Sequence, residues 1–190
     1  MKKQVFVSAL IILLSGCTFI DQKVKINPQF NIGTSDVGKG KKVALDVLDE
    51  REDFLIGKRG TGMVRGAKIA TDQDVVELFN TAVAEGLQRY GFSVVGRSEN
   101  VPIKLKVEIR SLNYDVTMGF WTGGNTGKAS LKVVATVNDK IYEKMYRGEK
   151  EIRTAFVASQ ETNSKIINVA VSEVLEAMFN DKQLLEFLSQ

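Results

Sequence analysis

The chain of 190 residues holds one cysteine, and its neighbours suit it to one kind of chemistry. Cys17 ends the run Leu14-Ser15-Gly16-Cys17. Lys2 and Lys3 stand before a short apolar stretch from Val5 to Leu14, the order of charge and apolarity in a secretory signal peptide. A bilayer-spanning helix needs about 17 to 25 apolar residues, so this stretch reads as a removable signal and not as a transmembrane helix. Ser15 and Gly16 are small enough for extended chain to enter a peptidase cleft. A thiol at the next position can be alkylated by a diacylglyceryl group.

That run resembles the lipobox of bacterial lipoproteins. The resemblance implies cleavage between Gly16 and Cys17, a thioether-linked lipid on Cys17, and an acylated, palmitate-type new amino terminus. In the same class, Asp after the acylated cysteine favours retention at the inner membrane. Thr18 occupies that position, which implies the outer membrane of a Gram-negative cell, with the protein facing the periplasm.

Other chemistry is narrowed by what the chain lacks. It has no histidine, so no Ser-His-Asp triad, Cys-His dyad or HExxH zinc site can be built. A carboxylate pair or a Ser-Lys pair remains open. No cofactor is expected beyond the covalent lipid on Cys17, and no metal. Lys2 and Lys3 leave with the signal, so 24 Lys and Arg face 23 acids in the mature chain. Nucleic-acid binders cluster basic charge, and this balance argues against nucleic acid as a partner.

Three further constellations deserve weighing. Gly123-Gly124-Asn125-Thr126-Gly127-Lys128 invites a P-loop reading, which fails because Thr122 and Ala129 stand where glycine and Ser or Thr are required. The plain reading is a long hairpin connection whose glycines permit positive φ. Asp46, Asp49, Glu50 and Asp53 lack calcium-loop spacing and read as a solvated strand end with Arg51 paired locally. Phe120 and Trp121, set in a Gly-rich connection, are a candidate interaction loop, since loops carry function and Trp is common at binding hot spots. The other reading folds Trp121 over the sheet edge as a plug.

The elements that must position these residues follow from periodicity. Val43, Leu45 and Val47 alternate along one strand face. Thr71 and Asp74 open a helix whose stripe is Val75, Phe79, Ala82, Val83, Leu87 and Tyr90, and Gly91 stops it. Phe92 to Val95 is a short strand. Ile103, Leu105, Val107 and Ile109 alternate, then Leu112, Tyr114 and Val116 take the opposite phase, which predicts a β-bulge near Arg110-Ser111. Alternation resumes from Ala129 to Val137, Asn138-Asp139 turns the chain, and a return strand runs from Ile141 to about Ile152. A second long helix spans about Glu161 to Asn180, and Asp181 caps a short last one.

Residues 1–16 are expected as the signal peptide, 17–40 as the acylated terminus and tether, and 41–190 as one periplasmic domain. Val24, Ile26, Phe30 and Ile32 interrupt the tether with apolar chain that could pair along a sheet edge. The expected fold is an α+β two-layer sandwich: a mostly antiparallel sheet with two long amphipathic helices on one face.

The lipobox, Asp49-Glu50-Arg51, Leu55-Ile56-Gly57, the Gly91-Phe92 helix exit and Leu112-Asn113-Tyr114 occur in an order that resembles the YajG family of small Gram-negative lipoproteins. The resemblance implies an outer-membrane lipoprotein and carries no catalytic residues. The first expectation is a binding or scaffolding module, held to the membrane by lipid and facing an envelope protein partner. The alternatives are a carboxylate-based cell-wall enzyme and a carrier of a small apolar ligand or lipid. An enzyme needs two carboxylates converging in a cleft, a carrier needs a large apolar cavity, and a binding module needs an exposed apolar patch.

Overall fold

The computed structural model describes residues 20–59, 66–118, 123–154 and 158–190. The strands are β1 (Gln22–Lys23), β2 (Lys42–Asp49), β3 (Gly57–Lys58), β4 (Lys68–Ala70), β5 (Ser93–Gly96), β6 (Ile103–Met118), β7 (Gly123–Val137) and β8 (Lys140–Thr154). The helices are α1 (Val75–Arg89), α2 (Gln160–Phe179) and α3 (Lys182–Leu188).

Local chemistry sets the helix ends. The Asp74 side chain caps α1 by accepting from the Glu77 N–H. At its exit Gly91 takes φ +79°, the Phe92 N–H donates to Leu87 O and the Gly91 N–H to Gln88 O, which satisfies two terminal carbonyls. Ser159 caps α2, and Asp181 caps α3.

The sheet is a curled, mixed, eight-stranded half-barrel, and this corrects the expected mostly antiparallel two-layer sandwich. The connection from β2 to β5 runs through β3, β4 and α1, and it returns the chain parallel to β2. β2 is also parallel to β6, from Val43 opposite Ile103 to Asp49 opposite Ile109. Only the later strands form the expected meander, with β6, β7 and β8 paired antiparallel along their lengths. The register of β6 against β7 shifts between Ile109 and Ser111, at the predicted bulge. Beyond the bulge the same edge of β6 takes a new neighbour: Gly57 of β3 lies opposite Tyr114. The long strands twist as they run, and the bulge adds local twist, so the sheet curls.

One face of this sheet is the core. Val43, Leu45, Val107, Ile109, Leu112, Leu131, Val133 and Ala135 meet Phe79, Val83, Leu87, Ile166, Val171, Leu175 and Phe179 from the helices, all buried. The opposite face carries Asp46 and Leu48 of β2, Lys104, Lys106 and Glu108 of β6, Lys132, Val134 and Thr136 of β7, and Ile141, Glu143 and Met145 of β8. Among the described residues no helix covers it.

The run from Gly123 to Lys128 is not a connection. It is the first part of β7, and none of its glycines has positive φ. Gly127 is required by space instead, because a Cβ there would stand 2.8 Å from Ile166 Cγ2 and 3.0 Å from its carbonyl oxygen.

Candidate functional site

The N-terminal segment that reads as a tether lies along the domain as an extended strap. Its backbone is held mostly by side chains. The amide of Gln73 accepts from the Ile26 N–H at 2.5 Å and donates back to Ile26 O at 2.9 Å, as a strand neighbour would. The N–H groups of Asn27, Gln29 and Asn31 then donate in turn to Asn168 Oδ1, Ser172 Oγ and Glu176 Oε1, at 2.6, 2.9 and 2.7 Å. The match is geometric. Two residues of extended chain advance about 6.6 Å and four residues of helix advance about 6 Å, so alternate strap amides meet every fourth residue of α2. Between bonds the strap buries Val24, Ile26 and Ile32.

At its start the strap enters a buried polar network. The Lys68 N–H donates to Asp21 Oδ1, and Gln22 pairs with Ile69 in parallel β1/β4 contact. Gln22 Oε1 accepts from Asn163 Nδ2 at 2.7 Å. The Tyr114 hydroxyl lies 2.6 Å from Asn163 Oδ1 and 2.8 Å from Asn125 Oδ1, and Asn125 Nδ2 donates to Thr154 Oγ1. Burial pushes the Tyr114 hydroxyl up to about 12, against a lowering by nearby Arg59, so it stays a neutral donor. Amides and a neutral phenol offer no nucleophile and no general base. What they offer is a fixed seat for the strap at one end of the half-barrel.

Three carboxylates elsewhere, Asp49, Glu108 and Asp181, are held in their charged forms by their partners. Arg51 Nε and Nη2 each reach Asp49 at 2.7 Å, which keeps that carboxyl below its usual range. The Lys106 ammonium, 2.7 Å from Glu108, lowers Glu108 likewise. At the opposite end of the sheet, Lys144, Tyr142 and Tyr146 all donate to Asp181 Oδ2. Burial would raise this carboxyl, but the three donors and the Gln183 N–H outweigh it and hold it well below the carboxylate range. Such carboxylates are poor general acids at neutral pH.

Cys17, Phe120 and Trp121, the residues singled out from sequence, lie outside the described residues. The sequence reading passed over the strap clamp of Gln73, Asn168, Ser172 and Glu176. A signal for it existed: α2 is apolar on its core face, yet it carries polar residues at 168, 172 and 176, an i, i+4, i+8 stripe.

Open depressions mark the described surface, and two of them adjoin the strap and the bare sheet face. One of about 460 Å³ runs between the strap (Ile26, Pro28, Phe30) and α1 (Glu77, Leu78, Glu85). The other, about 440 Å³, lies on the bare sheet face among Asp46, Arg97, Lys104, Lys106 and Val134. Among the described residues no helix is long and apolar enough to cross a membrane.

Comparison with known proteins places the chain in context. A family model described as "Uncharacterized lipoprotein" matches residues 28–189. The uncharacterized lipoprotein YajG of Escherichia coli strain K12 is 24% identical over 194 aligned positions, covering 100% of this chain and 97% of that protein. YajG from E. coli O6:H1 strain CFT073 aligns with the same identity and coverage. Among solved structures, a putative neuraminyllactose-binding hemagglutinin homolog from Helicobacter pylori superposes with a TM-score of 0.49 at 11% identity, over 87% of this chain and 98% of that one.

Proposed function

This chain belongs to the uncharacterized lipoprotein family, and from that membership we propose an outer-membrane lipoprotein that serves as a binding or scaffolding module. In this reading lipid on Cys17 anchors it, its body faces the periplasm, and it engages another protein of the envelope. The observation that carries the binding role is the bare face of the sheet at its free edge. Among the described residues β8 pairs only with β7, and on the uncovered face of β8 Ile141 is 68% exposed and Met145 37% exposed. Large apolar side chains in that position are usual at contact surfaces. They stand beside Glu143 and Lys132, which pair at 2.9 Å, so an apolar pair is rimmed by charge.

The geometry favours this role over the alternatives. The carboxylates Asp49, Glu108 and Asp181 are each tied to cations, whereas a sugar-cleaving pair needs one carboxyl with a raised pKa. Among the described residues the depressions beside the strap and on the sheet face are open, where a lipid carrier would enclose its cargo.

The test is photo-crosslinking in intact cells, with a photoreactive residue replacing Ile141 or, as a control on α1, Thr81. A discrete protein adduct at 141 and none at 81 supports the reading. No adduct at 141, with or without one at 81, would overturn it. The anchor is tested separately: Cys17→Ser should leave an unprocessed precursor that no longer sediments with the outer-membrane fraction of a sucrose gradient.

A further inference from the structure

The strap changes what the anchor does to the rest of the molecule. Asp21 already bonds the body through the Lys68 N–H, and Gln22 is fixed both to β4 and to buried Asn163. Lys23 O accepts from Gln160 Nε2 at 2.7 Å. Only Thr18, Phe19 and Ile20 separate the proposed lipidated Cys17 from Asp21. Four steps of fully extended chain reach at most about 14 Å. The headgroup layer on each side of a bilayer takes up about 5 to 7 Å of that reach.

We propose that the strap makes the anchor a short leash, holding the β1 end of the domain in direct contact with the phospholipid surface. This rests on the lipid-anchor reading and adds an orientation to it. The end in contact is the one where Gln22, Asn163, Tyr114 and Asn125 are hydrogen-bonded together. Ile20, at the body end of the leash, is a large apolar side chain that is 64% exposed. At this end Lys23 is paired with Asp72 at 2.7 Å, and the Asp21 carboxylate beside them adds negative and not positive charge, so the contact does not depend on attraction to anionic lipid. The surface therefore suits zwitterionic phospholipid. Gln22 is level with Gly127 of β7 through Ile69, Gly57 and Tyr114, so the Asn138-Asp139 hairpin, 11 residues further along β7, stands about 35 Å away along the strand direction, on the side of the domain turned from the membrane.

The experiment uses the full lipidated chain in phosphatidylcholine vesicles. Cys17 is the only native cysteine, and its sulfur is taken by the lipid, so an introduced cysteine is the sole free thiol. Lys23→Cys and Lys140→Cys, both exposed positions, are each labelled with an environment-sensitive fluorophore. Vesicles carry phosphatidylcholine spin-labelled on the headgroup. The expected result is quenching at 23 at least threefold greater than at 140, unchanged in 0.5 M salt. Inserting ten Gly and Ser residues between Phe19 and Ile20 should leave flotation with vesicles intact and bring quenching at 23 down to the level at 140. Equal quenching at 23 and 140 in protein that floats would overturn the orientation while the anchor stands. Protein that fails to float would overturn the anchor, and the orientation with it.

Discussion

Asp181 shows how a single residue joins elements distant in sequence. Its Oδ1 caps α3 through the Gln183 N–H, and its Oδ2 receives Tyr142, Lys144 and Tyr146 from β8. Tyr146 is buried, and that burial, with the hydrogen bonds to Tyr142 and Asp181, pushes its hydroxyl well above the phenol range, so it stays a donor. The folded pKa of Asp181 lies below its unfolded value of about 3.9, so its contribution is fully present above that pH. It is lost as pH falls through the folded value. Asp181→Asn keeps one acceptor but removes the charge, and should cost about 1.5 to 3 kcal/mol at pH 7. Urea melts of both proteins at pH 7, 4 and 2.5 check this, with the gap expected to narrow toward the lowest pH. A gap that stays constant across the series would mean that ionised Asp181 is not what holds α3 to β8. Hydrogen-bonded Asp49 and Arg51 make the complementary point: this pair was legible from sequence because its two members are two residues apart, whereas the Asp181 cluster spans 35 to 39 residues and was not.

At the scale of elements, the seat of α2 on the sheet is set by residues with no side chain. Gly148 of β8 lies under the helix, where an added Cβ would clash with the Ala170 carbonyl and stand 2.6 Å from Val174 N. Both are backbone atoms, so no rotamer change relieves the contact. Gly148→Ala should destabilise by about 1 to 3 kcal/mol, the cost of overpacking a filled interior. Gly96 of β5 is the control, since a Cβ there meets nothing within 4 Å. Gly96→Ala should shift stability by less than about 0.5 kcal/mol. Thermal melts of the two variants against the parent decide it, and equal shifts would reject the close-approach account. The same physics explains why the sequence misled at Gly123 to Gly127. Glycine marks a turn or a close approach with equal ease, and only the position of α2 distinguishes them. Element types were readable where periodicity was strong, as in α1, β6 and β7. The pairing of β2 with β5 and β6 was harder, because alternation records which face is buried and not which strand lies beside it.

For the molecule as a whole, the question is where the domain begins. Gly33, Gly38 and Gly40 and the turn residues around them read as a linker, and the hydrophobic residues before them read as an interruption. The structure joins both into one core. Val24, Ile26 and Ile32 belong to the same hydrophobic cluster as Leu105 and Val133, and Phe30 stacks on Phe179 with ring centroids 6.4 Å apart. The alternation of Val24 and Ile26 with Lys23 and Lys25 was legible, but the groups that hold the strap in place come from Ala70 and Gln73 and, more than 130 residues later, from α2. If the strap is part of the cooperative unit, Ile26, which is 1% exposed, should behave as a core residue. Ile26→Ala should then cost about 2 to 4 kcal/mol, close to Leu105→Ala in the centre of the sheet. If the segment were a tether, truncating it would cost almost nothing, as for exposed Lys25→Ala. Urea denaturation followed by circular dichroism compares all three variants with the parent. The strap could also peel away before the body unfolds, so amide exchange at Asn27, Gln29 and Asn31 is measured alongside. Protection at these amides comparable to that of β6, together with a large loss in Ile26→Ala, makes the strap integral. An Ile26→Ala loss below about 0.5 kcal/mol with fast exchange at all three amides would restore the tether and lengthen the leash on which the membrane orientation depends.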